Sequence, residues 1–363
     1  MKNPVWLASG GTGGHVFPAL SLADALETKG VTICMLTDRR GGRLMAKTRD
    51  FISVPSGSPF AGSVLRRLIA LGKLASGGII ILGLILKMRP SCVIGFGGYP
   101  SFMPMLMAKL FGIPVLMHEQ NAIMGRSNQL LASWARLIMT SWPATSGLPQ
   151  QGNVIHTGLP IRQAFSAIPA YQPDNTSHHI LVLGGSQGAY LFGELVVNAI
   201  TSMPASIRAQ ITVTHQVREE QIDDARAQYQ KANMQAEIAS FFDDVPEKMA
   251  QADIIICRAG ASSVAEIATA GRPAIFIPFA GAMDDHQTAN ASALEVDGGA
   301  VMINEAECSK EALSDMLSGL LGAPQTRKKL ASQARLHSHS GAAENMVRAI
   351  FNAVSPTTLG GAS

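Results

Sequence analysis

Two glycine-rich turns stand where this chain is best equipped for chemistry, residues 9–15 (SGGTGGH) and residues 184–188 (GGSQG). Each follows a short apolar run and precedes an apolar-periodic stretch, so the glycines fall where a strand turns sharply into a helix. Glycine tolerates positive φ and lets backbone N–H groups come close to a ligand. A helix start behind such a turn adds unpaired donors and a partial positive charge, a seat for phosphate worth about 0.3–1 kcal/mol per charge at an exposed site. Neither loop has the GxxxxGK[ST] form, so the lysine of a nucleotide-hydrolysing loop is missing. GTGGHV also lacks the glycine or alanine at the sixth position of a dinucleotide fingerprint, although Asp38 follows the second apolar run where that fingerprint needs an acid.

Polar side chains cluster near these turns and near strand ends. His15 closes the first loop and suits proton transfer near neutral pH; a capping or solvent-facing histidine fits equally well. His118-Glu119-Gln120-Asn121 directly follows the apolar run IPVLM, at the carboxyl end of a predicted strand, and reads either as site residues or as an ordinary polar loop. Glu266 lies three residues after Ser263, the capping-box spacing, and could instead accept hydrogen bonds from two ribose hydroxyls. Arg162 and Arg258, each near a strand end, suit a phosphate or a surface acid. The adjacent pairs Asp243-Asp244 and Asp284-Asp285 suit helix caps, and no DxD pair stands at a convincing site, so neither a metal nor another cofactor is expected. Cys34, Cys92, Cys257 and Cys308 have no metal-type spacing and read as buried, reduced thiols.

The elements that position these residues occur twice. Strand, glycine turn and helix open both halves, at Pro4 and at His179. A second unit also recurs, in CVIGFGGYPSFMPMLMAKLFGIPVLMHE and DIIICRAGASSVAEIATAGRPAIFIPF. This pattern predicts an α/β chain of two Rossmann-like, doubly wound domains facing across a cleft at the carboxyl ends of their sheets. A length of 363 residues, with 47% apolar and 15% charged residues, suits two such cores. The expected division is residues 1–165, a linker at 166–179 (SAIPAYQPDNTSHH), a second domain at 180–354 and a tail at 355–363. A net charge of +3 makes no case for nucleic acid. Its distribution is uneven: from Phe51 to His118 there is no acid, while Arg66, Arg67, Lys73, Lys87, Arg89 and Lys109 all fall there. The apolar run from Leu74 to Leu86 is shorter than the roughly 20 residues a bilayer span needs, so it is expected to lie on a membrane without crossing it. The apolar stretch at Val5 is too short for a signal-peptide core, which points to the cytoplasm.

The segments GGTGGHVFPAL, GFGGYPS, HEQNAIMGRSN, TGLPIR, LVLGGSQGA, FFDDVPEKMAQADIIICRAGASSVAEI and DDHQTANA, in that order, resemble the MurG family of peptidoglycan N-acetylglucosaminyltransferases, enzymes of the GT-B fold. The pattern departs from the family at Leu159, where Asn is frequent, and at His286, where some members carry Gln. The resemblance implies inverting transfer of N-acetylglucosamine from UDP-N-acetylglucosamine to the 4-hydroxyl of undecaprenyl-diphospho-N-acetylmuramoyl-pentapeptide. Another GT-B glycolipid glycosyltransferase, a nucleotide-sugar epimerase or an NAD-dependent dehydrogenase are the alternatives. By resemblance the second domain binds the donor. Ser186 and Gln187 would lie beside the diphosphate, Arg162 would approach the phosphates, and the backbone of Phe242 would read the uracil. Ala261, Ser262, Ser263, Val264 and Ala265 would supply backbone contacts, Glu266 would hold the ribose, and His286 and Gln287 would meet sugar hydroxyls. The first domain would contribute Thr12, Gly13, Gly14, His15, Asn121 and Glu119. His15 is the first choice for the base and Glu119 the reserve. The implied acceptor lipid and the basic, acid-free window agree on a peripheral location at the cytoplasmic face of an anionic membrane.

Overall fold

A computed structural model of the chain describes residues 1, 3–46, 48–59, 63–174, 176–185 and 189–354. Ser186 and Gln187, and the tail expected at 355–363, lie outside the described residues. The chain divides into two units, one of residues 1–161 with 341–363 and the other of residues 162–340.

In the first unit, apolar runs form seven strands: β1 (Val5–Ala8), β2 (Ile33–Thr37), β3 (Ile52–Ser53), β4 (Cys92–Gly95), β5 (Val115–Glu119), β6 (Leu137–Thr140) and β7 (Val154–His156). They pair in the order β3-β2-β1-β4-β5-β6-β7, with every ladder parallel. Strands β1, β4, β5 and β6 are buried along their whole length, as a sheet covered by helices on both faces demands. The order reverses between β1 and β4, and ligands of open α/β sheets bind outside the strand ends at such a reversal. The two glycine turns that follow β1 and β4 meet there: a Cβ on Gly10 would lie 2.5 Å from Cδ of Pro100.

The second unit repeats the plan with β8 (His178–Leu183), β9 (Ile211–Gln216), β10 (Gln235–Ala239), β11 (Ile254–Cys257), β12 (Ala274–Phe276) and β13 (Val301–Met302). The order β10-β9-β8-β11-β12-β13 is again all parallel and reverses between β8 and β11. Cys92, Cys257 and Cys308 are buried and Cys34 half-buried, all four as free thiols.

Three expectations need correction. The last helix, Ala342–Val354, belongs to the first unit and not to the second: Met346, Val347, Ala349 and Ile350 enter the core that holds Val5, Leu7, Val16 and Leu22. At such a site Ile350→Ala would cost about 2–5 kcal/mol. Residues 166–179 are no free linker, because Ile168 and Tyr171 are buried and Arg272, Arg335 and Arg327 bind the carbonyls of Pro169, Ile168 and Asp174. Tyr171 donates to Asp253 at 2.8 Å, which fastens this segment to the second unit. Finally, the apolar segment of the basic window is no short run. It lies in a 24-residue helix, Val64–Lys87, whose mean hydropathy reaches 2.2 over an 18-residue window. At about 1.5 Å per residue it measures about 36 Å, long and apolar enough to cross a bilayer by length and composition. One face, however, is packed into the unit: Ala70, Leu74, Gly77, Gly78, Ile81 and Ile85 are buried, and a Cβ on Gly77 would lie 2.6 Å from the carbonyl oxygen of Pro55.

Candidate functional site

At the sheet reversal of the first unit, Thr12 stands at the N-terminal boundary of the helix Gly13–Glu27 with extended backbone, and His15 occupies the helix's first turn. Gly13 is buried, while Thr12, Gly14 and His15 are half-buried. His15 rests against the second glycine turn. Gly97 has φ +82°, and a Cβ there would stand 3.2 Å from Cε1 of His15, so the close approach and the left-handed backbone both call for glycine. Asp38, the candidate dinucleotide acid, is committed to the fold: its Oδ1 accepts from the N–H of Gly41 at 2.8 Å and of Gly11 at 3.3 Å. It caps the helix Arg39–Met45 and steadies the glycine loop.

The carboxyl end of β5 carries the polar run expected there. His118 is wholly buried, and its Nε2–H donates to the Gly158 carbonyl at 2.9 Å. Burial lowers its pKa to about 4, the neighbouring His15 and His156 push the same way, and the Gly158 carbonyl opposes them, so the ring is neutral at pH 7. Gln120 donates to the Phe96 carbonyl at 2.9 Å. Glu119 is buried, and its carboxylate accepts from Asn121, from Gly125 and from Asn128. Asn128 was not foreseen. A loop brings it back to Glu119, and no periodicity in the sequence signals such a return.

In the second unit, Glu266 sits on the helix Ala261–Ala270, whose N-cap is Gly260. Ser263 is therefore the third helical residue, and the capping-box reading of Ser263 and Glu266 is wrong. The helix starts earlier than that pattern suggests, because Gly260 already has extended backbone while Ala261 is helical. Glu266 is half-buried, and burial raises its pKa to about 7 against the opposing pull of Arg162. The Arg162 guanidinium lies 4.9 Å over the Phe165 ring. Val264 and Ala265 put their side chains in the core, and the Val264 N–H donates to the Gly260 carbonyl, which leaves Ala261, Ser262 and Ser263 as the residues with first-turn donors.

Around this helix, several groups fix the neighbouring loops. Phe242 is buried, with Nζ of Lys248 4.8 Å above its ring. Gln216 accepts from the Gly184 N–H at 3.2 Å and donates to the Ser240 carbonyl at 3.1 Å, joining the start of the glycine loop to the segment before Phe242. Arg258 is buried between the rings of Phe192 and Phe279, at 4.9 and 5.4 Å, and donates to Glu305 at 2.9 Å. Its ion pair is thus internal, and Glu305 also accepts from the Ala280 N–H at 3.0 Å. Oε1 of Gln287 accepts from the Phe279 N–H at 3.0 Å, and His286 opens the helix His286–Glu295. Gln216 and Glu305 lie on elements remote in sequence from the loops they hold, so nothing in their local pattern marks them.

Residues 5–140 match the glycosyltransferase family 28 N-terminal domain and residues 179–346 the corresponding C-terminal domain. The chain is 40% identical, over 96% of its length and 94% of the relative's, to the UDP-N-acetylglucosamine--N-acetylmuramyl-(pentapeptide) pyrophosphoryl-undecaprenol N-acetylglucosamine transferase of Rhodospirillum centenum. Among solved structures it is similar to MurG of Acinetobacter baumannii, with a TM-score of 0.78 and 30% identity over 96% of this chain and 99% of that one. A protein of Listeria monocytogenes described as a putative UDP-N-acetylglucosamine 2-epimerase shares the fold alone, at a TM-score of 0.69 and 13% identity over 98% of each chain.

Proposed function

The chain belongs to glycosyltransferase family 28, and from that premise we propose that it transfers N-acetylglucosamine from UDP-N-acetylglucosamine to the 4-hydroxyl of an undecaprenyl-diphosphate-linked N-acetylmuramoyl-pentapeptide. The similarity to a transferase of that name along nearly the whole chain carries this reading. In the reaction the acceptor oxygen forms a bond to the anomeric carbon as the bond from that carbon to the UDP oxygen breaks on the opposite face, so the configuration inverts. His15 takes the hydroxyl proton. Arg162 and the first-turn N–H groups of the helix Ala261–Ala270 meet the charge that grows on the departing diphosphate. Glu266 accepts from the ribose hydroxyls, Phe242 borders the uracil, and His286 and Gln287 face the sugar. Ser186 and Gln187 serve the diphosphate in this reading. Incubating the purified protein with a panel of labelled UDP-sugars and a short-chain lipid acceptor tests it: the product should be the N-acetylglucosaminyl disaccharide, and transfer of another sugar, or none, would overturn it.

The acceptor's lipid calls for a membrane-facing surface, and the helix Val64–Lys87 supports one. Opposite its packed face, Val64, Leu65, Leu68, Ile69, Leu71 and Ile79 are exposed, with Arg66, Arg67 and Lys73 exposed beside them. An exposed apolar face flanked by bases suits an anionic lipid surface, each base near it contributing about 1 kcal/mol. The unit then sits peripherally on the leaflet that presents the acceptor.

A further inference from the structure

We infer that Glu119 is a positioning residue, which holds the 120–128 segment in its working shape, and is not a proton acceptor; the inference rests on the transferase reading with His15 as base. A base needs a lone pair directed at the hydroxyl it deprotonates, and an ionised carboxylate has about four such positions. In Glu119 all four are taken by N–H donors of its own unit. Oε1 accepts from the backbone N–H of Asn121 at 3.0 Å and from its Nδ2 at 3.1 Å. Oε2 accepts from the Gly125 N–H at 3.0 Å and from Nδ2 of Asn128 at 2.8 Å. The residue is 1% exposed and Asn128 2% exposed, so a substrate hydroxyl reaches the carboxylate only by displacing these donors.

What the carboxylate does hold is the path of the chain. The strand ends at Glu119, and within nine residues the backbone returns so that Asn121, Gly125 and Asn128 all address one side chain. Asn128 carries the arrangement onward. Its Nδ2 also approaches the His118 carbonyl, at 3.4 Å, and it lies 3.6 Å from where a Cβ of Gly97 would stand, beside His15. The segment bound by Glu119 is therefore built against the turn on which His15 rests. Loosening it should disturb acceptor binding and the seat of His15, and leave the donor-binding unit alone.

The test is steady-state kinetics with UDP-N-acetylglucosamine and a short-chain lipid acceptor, from about pH 6 to 9, across the span in which a histidine base titrates. Wild type, Glu119→Gln, Asn128→Asp and the double variant E119Q/N128D are compared. Glutamine offers one acceptor oxygen and turns an NH2 group toward other donors, so Glu119→Gln should raise the acceptor KM about tenfold, leave the donor KM unchanged and keep the acid-side limb of the pH profile, where a histidine base becomes protonated. Asn128→Asp sets two carboxylates against each other and should be impaired in the same way. The double variant restores the bond with its polarity reversed, amide N–H of residue 119 to carboxylate of residue 128, and should recover several-fold over both single variants. A drop of about 10³ in kcat for Glu119→Gln, with loss of the pH limb and no recovery in the double variant, would make Glu119 the base and overturn the inference. If Glu119→Gln fails to fold, Asn128→Ser decides: a raised acceptor KM with an unchanged pH profile supports the positioning role, and wild-type kinetics overturn it. Wild-type protein that transfers no sugar would bring down the transferase reading itself, a result distinct from any of the variant outcomes.

Discussion

Two carboxylates, one at a strand end of the first unit and one on a helix of the second, sit in opposite surroundings. Both sheets share one parallel order with the first strand inside, and each unit carries an acid on an element beyond its first strand, Glu119 at the end of β5 and Glu266 on the helix after β11. Glu119 is saturated by donors from its own loop. Glu266, half-buried with Arg162 as the opposing charge, is pushed up to about pKa 7. A carboxylate that its own chain has satisfied gains nothing from a ligand and serves the fold. One whose charged form is disfavoured by burial has most to gain when hydroxyl donors arrive. In the proposed reading the same topology thus supports a rigid frame around His15 in one unit and a responsive donor seat in the other.

The sharpest break of that comparison is at His15. His15→Ala should reduce kcat about 10²–10⁴-fold with the donor Kd unchanged, since in the proposed reaction the imidazole acts on the acceptor hydroxyl and the groups proposed for the donor lie in the other unit. Stopped or single-turnover assays together with titration of UDP-N-acetylglucosamine measure both; near-normal turnover would place the base elsewhere.

A smaller effect sharpens the role of Glu266. With its pKa pushed up to about 7, a ribose bound as proposed, donating to the ionised form, would have to displace a proton below pH 7. Affinity for UDP-N-acetylglucosamine should therefore rise with pH and level off above about 7, with a limiting slope of about tenfold per pH unit on the acid side. Glu266→Gln should bind more weakly and flatten that slope. Because Glu266 lies in the second turn of its helix and caps nothing, a loss of melting temperature is not expected from a missing cap. Calorimetry from pH 5.5 to 8.5 decides, in steps of about half a unit, and an unchanged slope in the variant would remove Glu266 from the ribose.

The units themselves were legible because buried parallel strands read as continuous apolar runs and glycine turns punctuate them; β1, β4, β8 and β11 all announce themselves this way. His118 and Glu119 could be assigned to a strand end, and His15 to the helix start behind a glycine turn, for the same reason. The missed features depend on what an element meets. The amphipathic pattern of the helix Ala342–Val354 says that one face is buried but not that it joins the first core. Tyr171 within a Pro- and Ser-rich stretch does not reveal its partner Asp253, more than eighty residues away. Arg66, Arg67 and Lys73 interrupt an apolar run without interrupting the helix that contains it. A Ser-x-x-Glu spacing pointed to the wrong helix start because Gly260 needs no side chain to begin one.

Membrane binding tests whether the comparison extends to surfaces, since the exposed apolar helix belongs to the first unit. Binding to anionic vesicles should weaken with salt, and replacing Arg66, Arg67 and Lys73 together by Gln should cost about 1 kcal/mol per residue near the surface, leaving donor affinity alone. Leu65→Ser with Ile79→Ser is the companion variant. Both positions are more than 60% exposed, so the protein should stay folded and leave the vesicles. Cosedimentation at low and high salt reads both effects, and wild-type protein that ignores anionic vesicles at low ionic strength would confine this face to another use.

The smallest expected effect concerns divalent ions, and it follows from where the acidic pairs of the donor-side unit are spent. Asp244 lies 3.3 Å from Nζ of Lys248, and Oδ1 of Asp285 accepts from the Thr288 hydroxyl at 2.6 Å. Among the described residues no three His, Cys, Asp or Glu side chains converge as a metal site. In the proposed reaction the charge that develops on the diphosphate is met by Arg162 and by the N–H groups that open the helix Ala261–Ala270, a fixed array that needs no assembly during the reaction. Excess EDTA should therefore change the transfer rate by less than about twofold, whereas a metal serving as the electrophile at the leaving group would make chelation nearly complete inhibition. The two units make the result informative. Inhibition by EDTA that Mg²⁺ or Mn²⁺ reverses, with donor affinity falling in parallel, would show that the second unit holds its ligand through an ion, and Arg162 would then have to be reassigned to the support of Glu266.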